Sequence, residues 1–225
     1  MAAATWPCPA ATGGIAEEYA FTLDQRRDRR LLIVPALFDE ANRLRRLALG
    51  VMHRLDGAGI DSILPDLPGT NESLQPLDAL ALADWMHAME AAAAHFGATH
   101  VLALRGGALV APITLPGWRL APTSGSAILR QMLRMRLIAA REAGREESQA
   151  ALLEQGGKSG LELAGHALSA GMVRDLQKAV VPDSTQVLIG QDLLGGAALW
   201  LRAEPDEDAG QADALAAILA MGMRA

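Results

Sequence analysis

The sequence predicts an α/β fold with a mostly parallel central sheet and helices on both faces. Short, fully apolar runs at residues 31–34 and 101–104 are typical of strands covered on both sides. Between them lie two long segments whose apolar residues recur at three- and four-residue steps, as on one face of a helix. This alternation of strands and helices predicts right-handed crossovers between parallel strands.

The N-terminal segment is predicted to be a flexible arm. Residues 1–15 are rich in Ala, Pro, Thr and Gly, and Cys8 is expected there as a mobile thiol without a role. The segment lacks a basic start followed by an apolar core, and no uncharged apolar run of about 20 residues follows it. The expected location is therefore the cytoplasm.

The elements can then be predicted in chain order. Residues 19–23 alternate weakly and indicate an edge strand, and residues 31–34 form a strand that ends at Pro35. An apolar stripe from Leu44 to Leu55 predicts a helix, which Gly57 and Gly59 can end. The next elements are a strand at 60–64, a helix from about Pro76 to Gly97 and a strand at 101–104.

The second half of the chain has a looser pattern. We predict a single domain over residues 16–225, with a helical, lid-like insertion at about 123–160. The predicted elements are strands at 118–120, 161–163, 187–190 and 197–201, helices at 126–145 and 209–223, a flexible link at 156–160 and a helix capped by Ser169.

Composition limits the possible functions. The chain has 225 residues, of which 51% are apolar and 20% charged, as in globular proteins. A net charge of −6 argues against nucleic-acid binding, which needs a basic surface. With one cysteine, neither an internal disulfide nor a cysteine-based zinc site can form, and we predict no metal and no cofactor.

The most informative stretch is residues 101–109, Val-Leu-Ala-Leu-Arg-Gly-Gly-Ala-Leu. It indicates a buried strand, a sharp turn and a helix start built of small residues. α/β Hydrolases use this arrangement to present a serine nucleophile in the pattern Gly-x-Ser-x-Gly. Here the apex residue is Arg105, whose guanidinium stays protonated and cannot act as a nucleophile.

A second segment is also similar to α/β hydrolases. Residues 66–73, Asp-Leu-Pro-Gly-Thr-Asn-Glu-Ser, resemble the Asp-x-x-Gly-x-Gly-x-Ser loop of these enzymes. Asn71 replaces the second glycine, and Asn tolerates the positive φ that the turn requires.

More narrowly, three segments resemble the proteins called exosortase A system-associated hydrolase type 2. They are residues 34–43, 129–137 and 199–205, so the resemblance extends over roughly residues 30–205. It implies an α/β-hydrolase fold and a genomic association with an envelope protein-sorting and exopolysaccharide system, without implying a substrate.

The usual catalytic triad of this fold is incomplete in the sequence. Its chain order is nucleophile, acid and a late histidine. Asp192 follows the predicted strand at 187–190 and can supply the acid, but Arg105 occupies the nucleophile position. No histidine lies beyond residue 195, since the five are His53, His87, His95, His100 and His166. Because losing triad members costs orders of magnitude in rate, we expect a non-hydrolytic binding or scaffold protein.

An ester or thioester hydrolase with displaced catalytic residues is the alternative. Ser124 or Ser126 would then be activated by His166, at a contact distance of about 3 Å. The favoured interpretation is structural: the serines cap the helix that begins near residue 126.

Arg105 has two interpretations. With Gly106 and Phe38 beside it, it can bind an anionic or acyl small molecule at the carboxyl edge of the sheet. Alternatively, Asp39, Glu40 or Glu204 neutralises it, because a cation there is not expected to stay unpaired. We favour the internal pair, although a ligand can also displace an acid.

Residues 126–145 are the last candidate region. They carry Arg130, Arg134, Arg136, Arg141 and Arg145 on one side of a predicted helix. This pattern suits a helix that attaches the protein peripherally to the inner membrane or to a protein partner. The commoner explanation is a core-packed helix with a solvated face. Residues 156–159, Gly-Gly-Lys-Ser, form no nucleotide loop, because Leu152 stands where that motif needs glycine.

Overall fold

The computed structural model describes residues 2–224. The strands are β1 (Ala2–Pro9), β2 (Ile15–Leu23), β3 (Arg30–Val34), β4 (Asp61–Pro65), β5 (His100–Leu104), β6 (Gly117–Leu120), β7 (Leu161–Leu163), β8 (His166–Leu168) and β9 (Val187–Ile189). The helices are α1 (Asp39–Gly57), α2 (Leu82–His95), α3 (Gly125–Glu142), α4 (Gln149–Ser159), α5 (Ala170–Lys178), α6 (Gln191–Leu194) and α7 (Ala209–Gly222). Short 3₁₀ turns lie at Leu77–Ala79, Arg105–Leu109 and Leu199–Leu201.

Seven strands form the central sheet, in the order β1-β2-β4-β3-β5-β6-β9. The five neighbouring strands β4, β3, β5, β6 and β9 are parallel to one another. Strand β2 runs antiparallel to both of its neighbours, β1 and β4. The predicted class, a mostly parallel sheet, is confirmed. β7 and β8 form a separate hairpin outside this sheet.

Each central strand contributes side chains to two hydrophobic cores. In β3, Leu32 and Val34 pack on the face that α2 covers, and Leu31 and Ile33 pack on the opposite face with α1 and α7. All four side chains are fully buried. The helices thus lie on both faces of the sheet, as predicted.

The expected flexible arm is instead strand β1. Residues 2–9 pair along their whole length with β2, and the side chains of Trp6 and Cys8 are completely buried. These two residues point to the same face because strand side chains alternate. The alternation of Trp6 and Cys8 with other residues therefore indicates a strand. The Pro and Ala content of the segment made it resemble an unstructured arm.

Two further expectations were wrong. Residues 156–160 are not a flexible link, because α4 continues to Ser159. Gly156 lets this helix pack closely against Leu161, since a Cβ on Gly156 would lie 3.2 Å from Leu161 Cβ. Residues 197–201 form no strand. Gly195 and Gly196 have φ values of 70° and 66°, and the chain then forms the Leu199–Leu201 turn.

Residues 123–160, predicted to be a lid-like insertion, consist mainly of α3 and α4. The apolar side of α3 joins the core on the α2 face through Ile128, Leu129, Met132 and Leu133. Helix α3 ends at Glu142 and not at residue 145. No helix within residues 2–224 has the length and apolar character needed to cross a membrane.

Candidate functional site

The candidate site lies at the carboxyl edge of the sheet. Phe38, Asp39 and Glu40 follow β3, Arg105 follows β5, and Ala121 follows β6. These strands are parallel neighbours, so the residues after them meet at one edge. Open α/β sheets bind ligands at this edge.

The turn after β5 holds Arg105 in a left-handed conformation, with φ of 51°. This conformation is unfavourable for a residue with a Cβ, so the surrounding packing must hold it in place. Gly106 and Gly107 make that packing possible. A Cβ on Gly107 would lie 2.3 Å from the Pro35 carbonyl oxygen, and one on Gly106 would lie 2.6 Å from Ile128 Cδ1.

The guanidinium of Arg105 is held by an acid and by a backbone carbonyl. Its Nε and Nη2 donate to the two Glu40 carboxylate oxygens at 3.0 and 3.1 Å, and its Nη1 donates to Ala121 O at 2.6 Å. Glu40 is the acid, of the three named from the sequence, that contacts Arg105. Both side chains are largely buried, with exposed fractions of 15% and 9%.

An aromatic ring completes the surroundings of Arg105. Its guanidinium carbon lies 4.4 Å from the centre of the Trp200 ring, a cation–π arrangement. The expected contribution of Glu204 is absent: Glu204 is exposed and makes no ion pair within residues 2–224. Sequence reasoning missed Trp200 because residues 197–201 were assigned to a strand.

A histidine–aspartate pair lies beside this cluster. His166 Nε2 is 3.2 Å from Asp39 Oδ1. The hydrogen bond with His166 lowers the pKa of the Asp39 carboxyl, so Asp39 is ionised at neutral pH. The His166 ring also contacts the Phe38 ring edge-on, with centroids 5.3 Å apart, and Phe38 has a φ of 55°. Residues 38–40 therefore connect Arg105 to the β7–β8 hairpin.

One pocket at this edge lies beside Glu40 and is small, and neither Arg105 nor Trp200 lines it. Its volume of ≈ 20 Å³ is enough for about one water molecule. It is lined by Leu37, Phe38, Asp39, Glu40, Ile128, Gln131, Met132 and Met135. The last four belong to α3, which therefore covers the pocket in this conformation.

The structure does not unite the alternative catalytic residues. Ser124 Oγ accepts a hydrogen bond from the Ala127 amide at 3.3 Å, as a helix cap does, and lies 3.1 Å from Ser126 Oγ. Within residues 2–224, His166 makes no hydrogen bond with either serine. Asp192 lies in the first turn of α6 and is exposed, with no hydrogen bond to a histidine in the same part of the chain.

The loop after β4 is closed by its own side chains. Asn71 has a φ of 48°, the positive value expected for it, and its Nδ2 donates to Asp66 Oδ1 at 2.7 Å. Ser73 Oγ accepts from the Gly69 amide and donates to the buried Glu18 carboxylate at 2.7 Å. The first and last residues of this segment, Asp66 and Ser73, thus hold the loop in its conformation.

Solved structures identify the architecture. A protein from Agrobacterium vitis S4 described as a "putative hydrolase" matches with a TM-score of 0.52 and 14% identity, over 84% of this chain and 90% of that one. Mouse alpha/beta hydrolase domain-containing protein 10 matches with a TM-score of 0.54 and 11% identity, over 84% and 77% of the two chains.

Sequence comparisons add no closer relative. No protein-family model matches the chain, and no curated protein matches it. At these identities the structural likeness concerns the fold alone. The strand order, the positive-φ turn after β5 and these two neighbours together show that the protein has the α/β-hydrolase fold.

Proposed function

We propose that this protein is a non-hydrolytic binding or scaffold protein that recognises a small anionic or acyl ligand at Arg105. One observation carries the proposal: the position that normally presents a serine holds a guanidinium that is ion-paired with Glu40 and stacked on Trp200. A permanently protonated side chain cannot attack an acyl carbon, but it is well suited to bind a carboxylate.

The Glu40 contact indicates how a ligand would bind. The Glu40 carboxylate accepts two parallel hydrogen bonds from Arg105, and a ligand carboxylate can accept the same two. Binding would require Glu40 to rotate away, because its carboxylate occupies Nε and Nη2 of Arg105, and the neighbouring pocket, which has room for about one water molecule, would have to widen.

We also propose a role in an exosortase-linked envelope system. The support is the sequence resemblance, whose three segments all lie around this site. Residues 34–43 include Phe38, Asp39 and Glu40, residues 129–137 lie in α3, and residues 199–205 include Trp200. Deleting the gene in a host with such a system should reduce exopolysaccharide output, and an unchanged output would remove this assignment.

The absence of hydrolysis can be tested directly. We expect the purified protein to hydrolyse p-nitrophenyl butyrate and a butyryl thioester no faster than buffer does, and to resist labelling by a fluorophosphonate. Arg105→Ser should also remain inactive, because the hydroxyl would have no histidine partner. Turnover that is lost in Ser124→Ala or Ser126→Ala would overturn the proposal in favour of the displaced-site hydrolase.

The binding role can be tested with butyrate as the probe. We expect butyrate to raise the melting temperature of the wild type but not that of Glu40→Gln/Arg105→Gln. This double variant removes both charges together, so neither partner is left as an unpaired buried charge and the fold should be retained. An equal shift in both proteins would place butyrate elsewhere and refute the Arg105 site.

A further inference from the structure

We propose that the solvent face of α3 is a docking surface for a membrane containing anionic lipids. We call this surface the arginine face and define it as Arg130, Arg134, Arg141, Met135 and Ile138 of α3 together with Arg145, which lies three residues beyond the last residue of the helix. The proposal does not depend on ligand binding at Arg105, since none of the four arginines lines the pocket beside Glu40; Met135 alone borders both that pocket and the arginine face.

The arginines of this face are free of internal partners. Arg130, Arg134 and Arg141 are exposed and make no ion pair or side-chain hydrogen bond within residues 2–224. Arg145 has only a long contact of 3.9 Å with Glu147. By contrast, Arg136 is half-buried and its Nε donates to Glu147 Oε2 at 2.8 Å, and that ion pair ties the end of α3 to the segment just before α4.

The spacing places the free arginines on one side of the helix. Arg134 and Arg141 are separated by two helical turns, and Arg130 lies one turn before Arg134. Glu142 and Glu146 are the only exposed acids among residues 125–147, so the arginine face is cationic in a chain whose net charge is −6.

Two apolar side chains emerge beside these arginines. Met135 and Ile138 are 46% and 49% exposed. The pattern of guanidiniums next to apolar groups on a helix is that of an interfacial helix, whose cations contact lipid phosphates while the apolar groups enter the headgroup region. An anionic bilayer satisfies both features, whereas an acidic protein surface would account for the charges alone.

The test is co-sedimentation with vesicles. We expect the full chain to bind phosphatidylcholine vesicles that contain phosphatidylglycerol, and not pure phosphatidylcholine vesicles. Added salt should weaken the binding, because it screens charge. Arg130→Glu/Arg134→Glu should reduce the partition coefficient about tenfold or more, since two attractive contacts become repulsive.

Matched variants make the result specific. Arg26→Glu/Arg224→Glu changes the net charge by the same amount at exposed positions outside the arginine face, and it should reduce binding much less. Met135→Gln/Ile138→Gln should weaken binding even at high salt. Circular dichroism would verify that each variant is folded.

Three results would overturn the proposal. One is no binding to phosphatidylglycerol vesicles, and another is equal loss of binding in the two charge-reversed variants. The third is tight binding to soluble polyglutamate with none to vesicles, which would assign the arginine face to an acidic protein.

Discussion

At the scale of single residues, Arg105 and Glu40 depend on each other. Removing one partner of a buried ion pair leaves the other charge uncompensated. We expect Glu40→Ala to lower the free energy of unfolding by about 3 kcal/mol, as measured by urea denaturation. Glu40→Gln/Arg105→Gln should recover most of that loss. If Glu40→Ala were as stable as the wild type, the Arg105 charge would have to be solvated or paired elsewhere.

Cys8 allows a test of strand β1. Burial raises the pKa of the Cys8 thiol to about 12, and the nearby charge of Glu18 adds to this effect. Because the thiolate is the reactive form, we expect a chromogenic disulfide reagent to label the native protein very slowly and the urea-unfolded protein rapidly. Cys8→Ala measures the background, since Cys8 is the only cysteine. Rapid labelling of the native protein would mean that residues 2–9 are detached.

Several site residues could be named from the sequence because they follow buried strands. Arg105, Asp39 and Glu40 were found in this way, and the positive φ of Asn71 was expected from its place in the loop. Their partners could not be assigned. Arg105 and Glu40 are separated by 65 positions and His166 and Asp39 by 127, so only packing determines which of the possible pairs forms.

At the scale of secondary structure, the close approach of two strand ends depends on Gly107. A Cβ there would lie 2.3 Å from Pro35 O and 2.9 Å from Val34 O, both backbone atoms. We expect Gly107→Ala to destabilise the protein by about 1–3 kcal/mol through overpacking, measured as a lower urea midpoint.

Gly57 provides the matched control for this substitution. It lies at the end of α1, and no heavy atom would come within 4 Å of an added Cβ. Gly57→Ala should therefore be neutral or slightly stabilising, because alanine favours helix. A Gly107→Ala protein as stable as Gly57→Ala would show that a methyl group fits between β3 and the turn after β5.

The elements that were predicted well have strong local patterns. The apolar stripe of α1 and the continuous apolar runs of β3 and β5 indicated their type without reference to the rest of the chain. The elements that were missed have weak or misleading patterns. β1 contains two prolines, α4 contains Gly156 and Gly157, and the segment around Trp200 is apolar but short.

At the scale of the whole molecule, the two hydrophobic cores share one sheet. Trp6 and Trp85 are buried in the core on the α2 face, and Trp118 and Trp200 in the core on the α1 face. Because the same strands supply both cores, we expect the faces to unfold together. Tryptophan fluorescence and far-ultraviolet circular dichroism should give the same urea midpoint.

Two double variants allow the tryptophan fluorescence of each core to be measured separately. Trp6→Phe/Trp85→Phe keeps the tryptophans of the α1 face, and Trp118→Phe/Trp200→Phe keeps those of the α2 face. In each variant the fluorescence midpoint should coincide with that from circular dichroism. Different midpoints for the two probes within one variant would show that one face unfolds before the other.

The sequence by itself determined the fold class and the place of Arg105, Asp39 and Glu40 at the carboxyl edge of the sheet, and it supports the proposal that Arg105 takes the place of a nucleophile. These follow from local periodicity and from the chemistry of one side chain. The tertiary structure alone decided that Glu40 and Trp200 hold Arg105, that His166 binds Asp39, and that residues 2–9 complete the sheet. Such contacts join distant parts of the chain, and their distances are set by how the sheet and helices pack.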